Sequence, residues 1–231
     1  MKNVVLASYF NTKNDPLRKT SWPSDVTQVK NLIDSVVDKN ASIKLFHDCF
    51  ENPPVIDNCE FIKVPFDENY STNVYRWLVY LDHIKQNNYE KIFMVDSTDV
   101  VMQTFPFDHI KNDLLYIGSE FKKTIPHQYL NKRQHLFDIP DWTDVMEQHA
   151  KNPLLNCGIC GGEVIIIKKF LKMLVESHTK QSYGVKDSLD MPIFNYILYK
   201  YFSNQITTGE PVHTKFKRHE TNNTSCWWKH K

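Results

Sequence analysis

The stretch Lys91-Ile-Phe-Met-Val-Asp-Ser-Thr-Asp-Val-Val-Met102 decides how the chain is read. Residues 91–95 are an unbroken apolar run between polar neighbours, the pattern of a strand covered on both faces, as in parallel sheets. The run ends at Asp96. Upstream, residues 70–86 carry Val74, Leu78, Leu81 and Ile84 at helical spacing, and residues 25–39 carry Val26, Val29, Leu32, Ile33 and Val36 in the same way. A short β-rich run at 4–10 precedes these helices, and two more at 42–46 and 61–64 lie between them. Strands alternating with helices mark parallel strands joined by crossover helices, so an α/β chain with a mixed, mainly parallel central sheet flanked by helices is expected.

Downstream the pattern loosens. A strand is expected at 114–121, and helices at 170–177 and 192–201. Residues 126–151 are polar and aromatic with weak periodicity, and read as an insertion over a site. Residues 157–167 hold three glycines followed by a β-branched run, residues 209–216 read as a last strand or loop, and the tail 221–231 ends in a Cys-Trp-Trp cluster. No repeat, low-complexity tract or linker interrupts the 231 residues, and that length suits a single domain spanning 1–231.

The formal net charge is +1 with both signs interspersed, which argues against nucleic acid or an anionic membrane as a partner. The apolar run after Met1 is shorter than the hydrophobic region of a signal peptide, and no segment approaches the roughly 20 apolar residues of a membrane span. Cysteines are few and odd in number (Cys49, Cys59, Cys157, Cys160 and Cys226), which fits a reducing compartment, so a cytoplasmic location is expected. Cys157 and Cys160 lack the second pair of a zinc site and read as core or loop residues. The sequons at Asn40, Asn69 and Asn222 then carry no meaning.

Asp96 and Asp99 follow the most buried strand, and in open α/β sheets ligands bind beyond the carboxyl ends of the strands. Two carboxylates three residues apart on a turn suit one hard divalent cation whose other positions are filled by diphosphate oxygens and water. Spacing alone favours an Asx-type turn whose polar side chains serve only the local backbone.

Companion segments decide between these. The Asp-x-x-Asp pair, Leu155-Asn-Cys-Gly-Ile-Cys-Gly-Gly162, Asp187-Ser-Leu-Asp-Met-Pro-Ile-Phe194 and Pro211-Val-His213 together resemble, in order and rough spacing, the motifs of GT-A type glycosyltransferases. The form is that of collagen-modifying glycosyltransferase domains, with a weaker likeness to the compact capsid-glycosylating enzymes of large DNA viruses. The resemblance implies a Rossmann-like GT-A domain with a nucleotide-binding half, 1–103, and an acceptor-binding half, 104–231. It implies a UDP-sugar donor, Mn²⁺ or Mg²⁺, and transfer to a glycan, glycoprotein or other hydroxyl acceptor. If the chain is viral, the acceptor is a capsid protein and the location host cytoplasm.

The same resemblance assigns residues. Asp96, Asp99 and His213 hold the metal, with Lys215 or Lys217 facing the diphosphate. Arg76 reaches the nucleotide or diphosphate, Ala7, Ser8 and Tyr9 meet uracil and ribose, and Ser97 and Thr98 stand where relatives carry an aromatic residue. Asn156, Gly158, Gly161 and Gly162 form a loop that lets backbone approach the sugar. Asp190, with Asp187, is the catalytic or sugar-orienting carboxylate, a base if the reaction inverts, although acidic residues before a helix also act as caps. Residues 129–142 contribute to an acceptor wall. The same carboxylates would also serve a metal-dependent nucleotidyltransferase or phosphohydrolase, or a nucleotide-sugar binding module without turnover.

Overall fold

A computed structural model describes residues 2–15, 19–125, 139–180, 190–217 and 225–230. The first half forms β1 (Asn3–Tyr9), α1 (Lys30–Val37), β2 (Ile43–His47), β3 (Cys59–Lys63), α2 (Thr72–Gln86), β4 (Lys91–Asp96) and β5 (Val100–Met102). The second half adds β6 (Leu115–Thr124), α3 (Trp142–Gln148), β7 (Pro153–Glu163), α4 (Val164–Lys180), α5 (Met191–Phe202), β8 (Ile206–Thr207) and β9 (Trp228–His230). Seven strands make one sheet in the order β3-β2-β1-β4-β7-β6-β8, and β5 pairs with β9 in a separate ribbon. β1 runs parallel to β2 and β4, β2 to β3, and β6 to β8; β7 is antiparallel to both β4 and β6. The expected mixed, mainly parallel α/β architecture is observed, and the sheet draws strands from both halves of the chain.

Alternation along the central strands explains why both faces are covered. Val4 and Leu6 of β1 and Ile92 and Met94 of β4 enter one apolar cluster, with Trp77 of α2, Phe170 of α4 and Phe194 of α5. Val5, Ala7, Phe93 and Val95 enter the other, with Leu32 and Ile33 of α1 and with Trp227 and Trp228. A strand that is apolar at every position is thus buried on both sides. Among the described residues, no helix is long and apolar enough to cross a membrane.

Several element boundaries differ from the sequence pattern for local reasons. The expected helix at 25–39 opens as a short 3₁₀ turn, Val26–Gln28, capped by the Asp25 side chain, before α1 begins. Ser71 caps α2 by accepting a hydrogen bond from the Val74 amide at 3.3 Å, so Tyr70 lies outside the helix. The buried stripe of α2 contains Trp77 and Tyr80, with Leu78 only half-buried. The β-branched run after Glu163 opens α4 rather than extending a strand. Ile166, Ile167, Phe170, Leu171 and Leu174 recur at helical spacing in the core while Ile165 is 76% exposed, so packing overrides β-propensity. Residues 209–216 are mostly turn, and the last strand is the tail itself, whose Trp227 and Trp228 are buried.

Candidate functional site

β1 and β4 end side by side, with Ser8 paired to Asp96. The chain turns immediately after Asp96, and the Ser97 hydroxyl donates to the Ser8 carbonyl at 2.8 Å, fastening that turn to the neighbouring strand. Asp99 closes the turn, and β5 begins at Val100. β9 then pairs antiparallel to β5 with His230 opposite Val100. Trp228 anchors the ribbon against Phe93, with ring centroids 5.2 Å apart. Two residues further on, the alternation of the strand turns His230 to the same buried side.

As a result Asp96, Asp99 and His230 converge. One ligand atom from each lies within 4.8 Å of the others, the only such group of three or more among the described residues. His230 Nε2 is 3.9 Å from Asp99 Oδ1. Gly158 makes this convergence possible. A Cβ there would sit 2.3 Å from His230 Cε1, 2.8 Å from His230 Nε2 and 3.0 Å from Asp96 Oδ2, so any side chain would occupy the space between the imidazole and the carboxylate.

Burial pushes the His230 imidazole down to about 4; Asp96 opposes this, and His213, Lys217 and Arg76 reinforce it. The ring is therefore neutral near pH 7, and its Nδ1 is buried without a hydrogen-bond partner among the described residues. Two carboxylates, a neutral imidazole and a glycine cradle fit a divalent cation with oxygen preference and tolerance for one nitrogen.

Arg76 of α2 organises the wall behind the pair. Its guanidinium donates to Asp96 Oδ1, to Asp190 Oδ2 at 2.7 Å and to the Cys157 carbonyl at 3.5 Å. Trp77 Nε1 donates to the same Asp190 oxygen at 3.0 Å. Burial would lower the Arg76 pKa, but Asp190 and Asp96 outweigh it and hold the group well above its ordinary value. Burial, reinforced by Asp190, pushes the Cys157 thiol well up, so it is no nucleophile at this site. Cys157 and Cys160 are both buried free thiols.

Arg76, Asp96, Asp99, Cys157, Asp190 and His230 line a cleft of about 430 Å³ together with Ser8, Tyr9, Thr98, Asn156 and Lys217. Asn156 Oδ1 accepts from the Gly158 amide at 3.2 Å, while its buried Nδ2 has no hydrogen-bond partner among the described residues. Gly118 on β6 leaves room for that side chain, since a Cβ there would meet Asn156 Oδ1 at 2.3 Å. Neither a family model nor a curated protein matches the chain. The site's own geometry must carry the functional reading.

That geometry relocates several residues. His213 does not join the carboxylates: its Nε2 accepts from the Ser119 amide at 3.1 Å and the Gly209 amide at 3.0 Å, and its Nδ1 donates to the Thr214 carbonyl at 2.7 Å. Both ring nitrogens serve backbone groups, and His230 stands where His213 was expected. Ala7 is fully buried in the core and does not line the cleft. Gly162 pairs with Ile92, at the end of β4 away from Asp96, because β7 runs antiparallel. Gly161 packs beneath the Phe93 ring. Lys215 lines a neighbouring cavity instead. Tyr9 reaches the cleft, but its hydroxyl donates to the Pro23 carbonyl at 2.6 Å and its ring stacks on Phe50. Trp142 is buried and stacked on Tyr196, so it forms core rather than an open wall. Asp187 and residues 129–138 lie outside the described residues. Besides His230, the cleft gains Asp15, Trp22, Glu120, Lys123 and Phe216, which the sequence did not single out.

Proposed function

We propose that the protein is a metal-dependent glycosyltransferase of GT-A type that moves a sugar from a UDP-sugar to a hydroxyl of a glycan or glycoprotein acceptor. The observation that carries this reading is the Asp96, Asp99 and His230 group seated over Gly158 at the carboxyl end of a buried parallel strand. The strand order β3-β2-β1-β4, followed by an antiparallel β7 that contributes Asn156 and Gly158, agrees with it. The free thiols of Cys49, Cys59, Cys157 and Cys160 agree with a cytoplasmic location.

Asp96, Asp99 and His230 would hold Mn²⁺ or Mg²⁺, which supplies neutralisation of the charge that builds on a departing diphosphate. Lys217 is exposed on the same wall and adds a positive charge for that diphosphate. Arg76 fixes Asp96 and Asp190 in place through its forked donors. Asp190, held by Arg76 and Trp77, accepts a hydroxyl of the donor sugar or acceptor; if the reaction inverts, it takes the acceptor proton. The buried amide of Asn156 offers donors to sugar oxygens. The cleft volume of about 430 Å³ is in the range of small-molecule sites.

The test is a screen of UDP- and GDP-sugars for nucleotide release with and without Mn²⁺, paired with calorimetry of UDP binding to the Asp99→Ala variant. Metal-dependent UDP release that this variant lacks supports the proposal. Unchanged UDP binding by Asp99→Ala refutes it. Release of phosphate or pyrophosphate in place of UDP makes the protein a phosphohydrolase or nucleotidyltransferase, and binding without turnover makes it a binding module.

A further inference from the structure

The two oxygens of the Asp96 carboxylate face different neighbours. Oδ1 accepts from Arg76 Nη1. Oδ2 lies 3.0 Å from the point that a Cβ on Gly158 would occupy, and His230 Nε2 lies 2.8 Å from the same point. The space above Gly158 is thus met by Oδ2 and the imidazole, while Oδ1 is turned to the guanidinium.

Arg76 is fastened where it stands. Its side chain is largely buried, and the guanidinium carbon lies 4.5 Å from the centroid of the Trp77 ring. Nη2 donates to Asp190 Oδ2 at 2.7 Å and to the Cys157 carbonyl at 3.5 Å, so α2, β4, β7 and the start of α5 all meet at this one group. A guanidinium that swung away from Asp96 would also leave the buried Asp190 carboxylate without its cation, which is costly.

Divalent cations differ in what they ask of a carboxylate. Ca²⁺ collects about six to eight oxygens and readily takes both oxygens of one carboxylate, whereas Mg²⁺ and Mn²⁺ form an octahedron that needs one oxygen from each. The guanidinium charge repels every divalent cation alike, so it lowers affinity without setting choice. Choice follows from the number of oxygens left facing the site.

We infer that Arg76 is a specificity-determining residue for the cation: by holding Asp96 Oδ1 it limits that carboxylate to coordination through Oδ2, and the site takes Mn²⁺ or Mg²⁺ in preference to Ca²⁺. The inference rests on the metal-site part of the proposed function and requires neither donor nor acceptor.

The experiment titrates the full chain with Mn²⁺ by electron paramagnetic resonance and then displaces the bound ion with Ca²⁺. The same titrations are run on Asp190→Asn and on the double variant Arg76→Met/Asp190→Asn, which removes both charges of the buried pair together, with melting curves to show that each is folded. Wild type is expected to bind Ca²⁺ at least about tenfold more weakly than Mn²⁺, and the double variant to narrow that ratio by about tenfold. Asp190→Asn alone leaves Arg76 on Asp96 and should keep the ratio within about twofold of wild type. A double variant with an unaltered ratio overturns the role of Arg76 and leaves the metal site standing. Equal affinity of the wild type for Ca²⁺ and Mn²⁺ overturns the inference without any variant. A wild type that binds no Mn²⁺ overturns the metal site itself.

Discussion

Replacing Gly158 by Ala tests the convergence of Asp96 and His230 with one methyl group. The added Cβ would lie 2.3 Å from His230 Cε1, against an ordinary contact of 3.4 Å, so the ring must retreat by about 1 Å. The ring has one easy direction, outward with β9, because that strand is only three residues long and Gly158 itself belongs to the long central β7. Overpacking of this kind costs about 1–3 kcal/mol, and for a chain of this size 1 kcal/mol moves the melting temperature by about 2–4 °C. A drop of about 2–12 °C is therefore expected. Metal affinity suffers more, because the imidazole and Asp96 Oδ2 are pushed apart; titration with Mn²⁺ followed by electron paramagnetic resonance is expected to show a loss of tenfold or more. If Gly158→Ala binds Mn²⁺ as the wild type does, the proposed metal group is wrong.

His230→Ala is expected to abolish Mn²⁺ binding, whereas His213→Ala should keep it within about threefold and cost about 1–3 kcal/mol through the stranded Ser119 and Gly209 amides; the reverse ranking would restore His213 as the ligand. Arg76→Ala leaves the Asp190 side chain, 6% exposed, without its cation and should cost about 3–5 kcal/mol in urea unfolding. Arg76→Lys should recover only part of this, since one ammonium cannot fork to Asp96 and Asp190 as the guanidinium does, and full recovery would refute the bridging role. Stability should fall as the solution is acidified from about pH 6.5 toward pH 4. Burial holds His178 and His230 down to about 4, below the value near 6.5 of an unfolded chain, so the unfolded state takes up protons first. The slope is at most about 1.4 kcal/mol per pH unit for each histidine, and His178→Leu should flatten part of it. Identical urea midpoints at pH 7 and pH 5 would contradict this.

The first half of the fold was legible because its signals are local. An unbroken apolar run such as Ile92 to Val95 can only be a strand covered twice, and both faces are indeed filled. Helix spacing in α2 was equally plain, although the face it buries was shifted toward Trp77 and Tyr80, since large aromatic rings displace Leu78 where the helix meets the sheet. The start of α4 was harder to read. Val164 to Ile167 has the composition of a strand, and only the helical recurrence of its buried positions, which includes residues as far on as Leu174, shows otherwise.

The site was legible where it depends on one strand end and illegible where it depends on pairing. Asp96 and Asp99 were singled out by their place after the β4 run, and Asn156 and Gly158 by the likeness of their segment to a glycosyltransferase motif; all four line the cleft. Direction decides the fate of the glycines in that segment: with β7 antiparallel to β4, Gly158 falls beside Asp96 and Gly162 falls at the far end, a distinction that residue types alone do not contain. His230 depends on a longer chain of contingencies. Its partner Val100 is distant in sequence, and the two strands that bring them together have three residues each, too short for a periodic signal. The clue lay in the tail's Cys-Trp-Trp cluster. Indole rings of that size are buried somewhere, and in an extended segment the residue two places beyond Trp228 shares its inward face. An imidazole there needs a polar partner inside the protein, and Asp99 is within reach. His213, by contrast, had the expected sequence position but sits where three backbone groups already claim its nitrogens, and the imidazole that joins Asp96 and Asp99 is His230 of the tail.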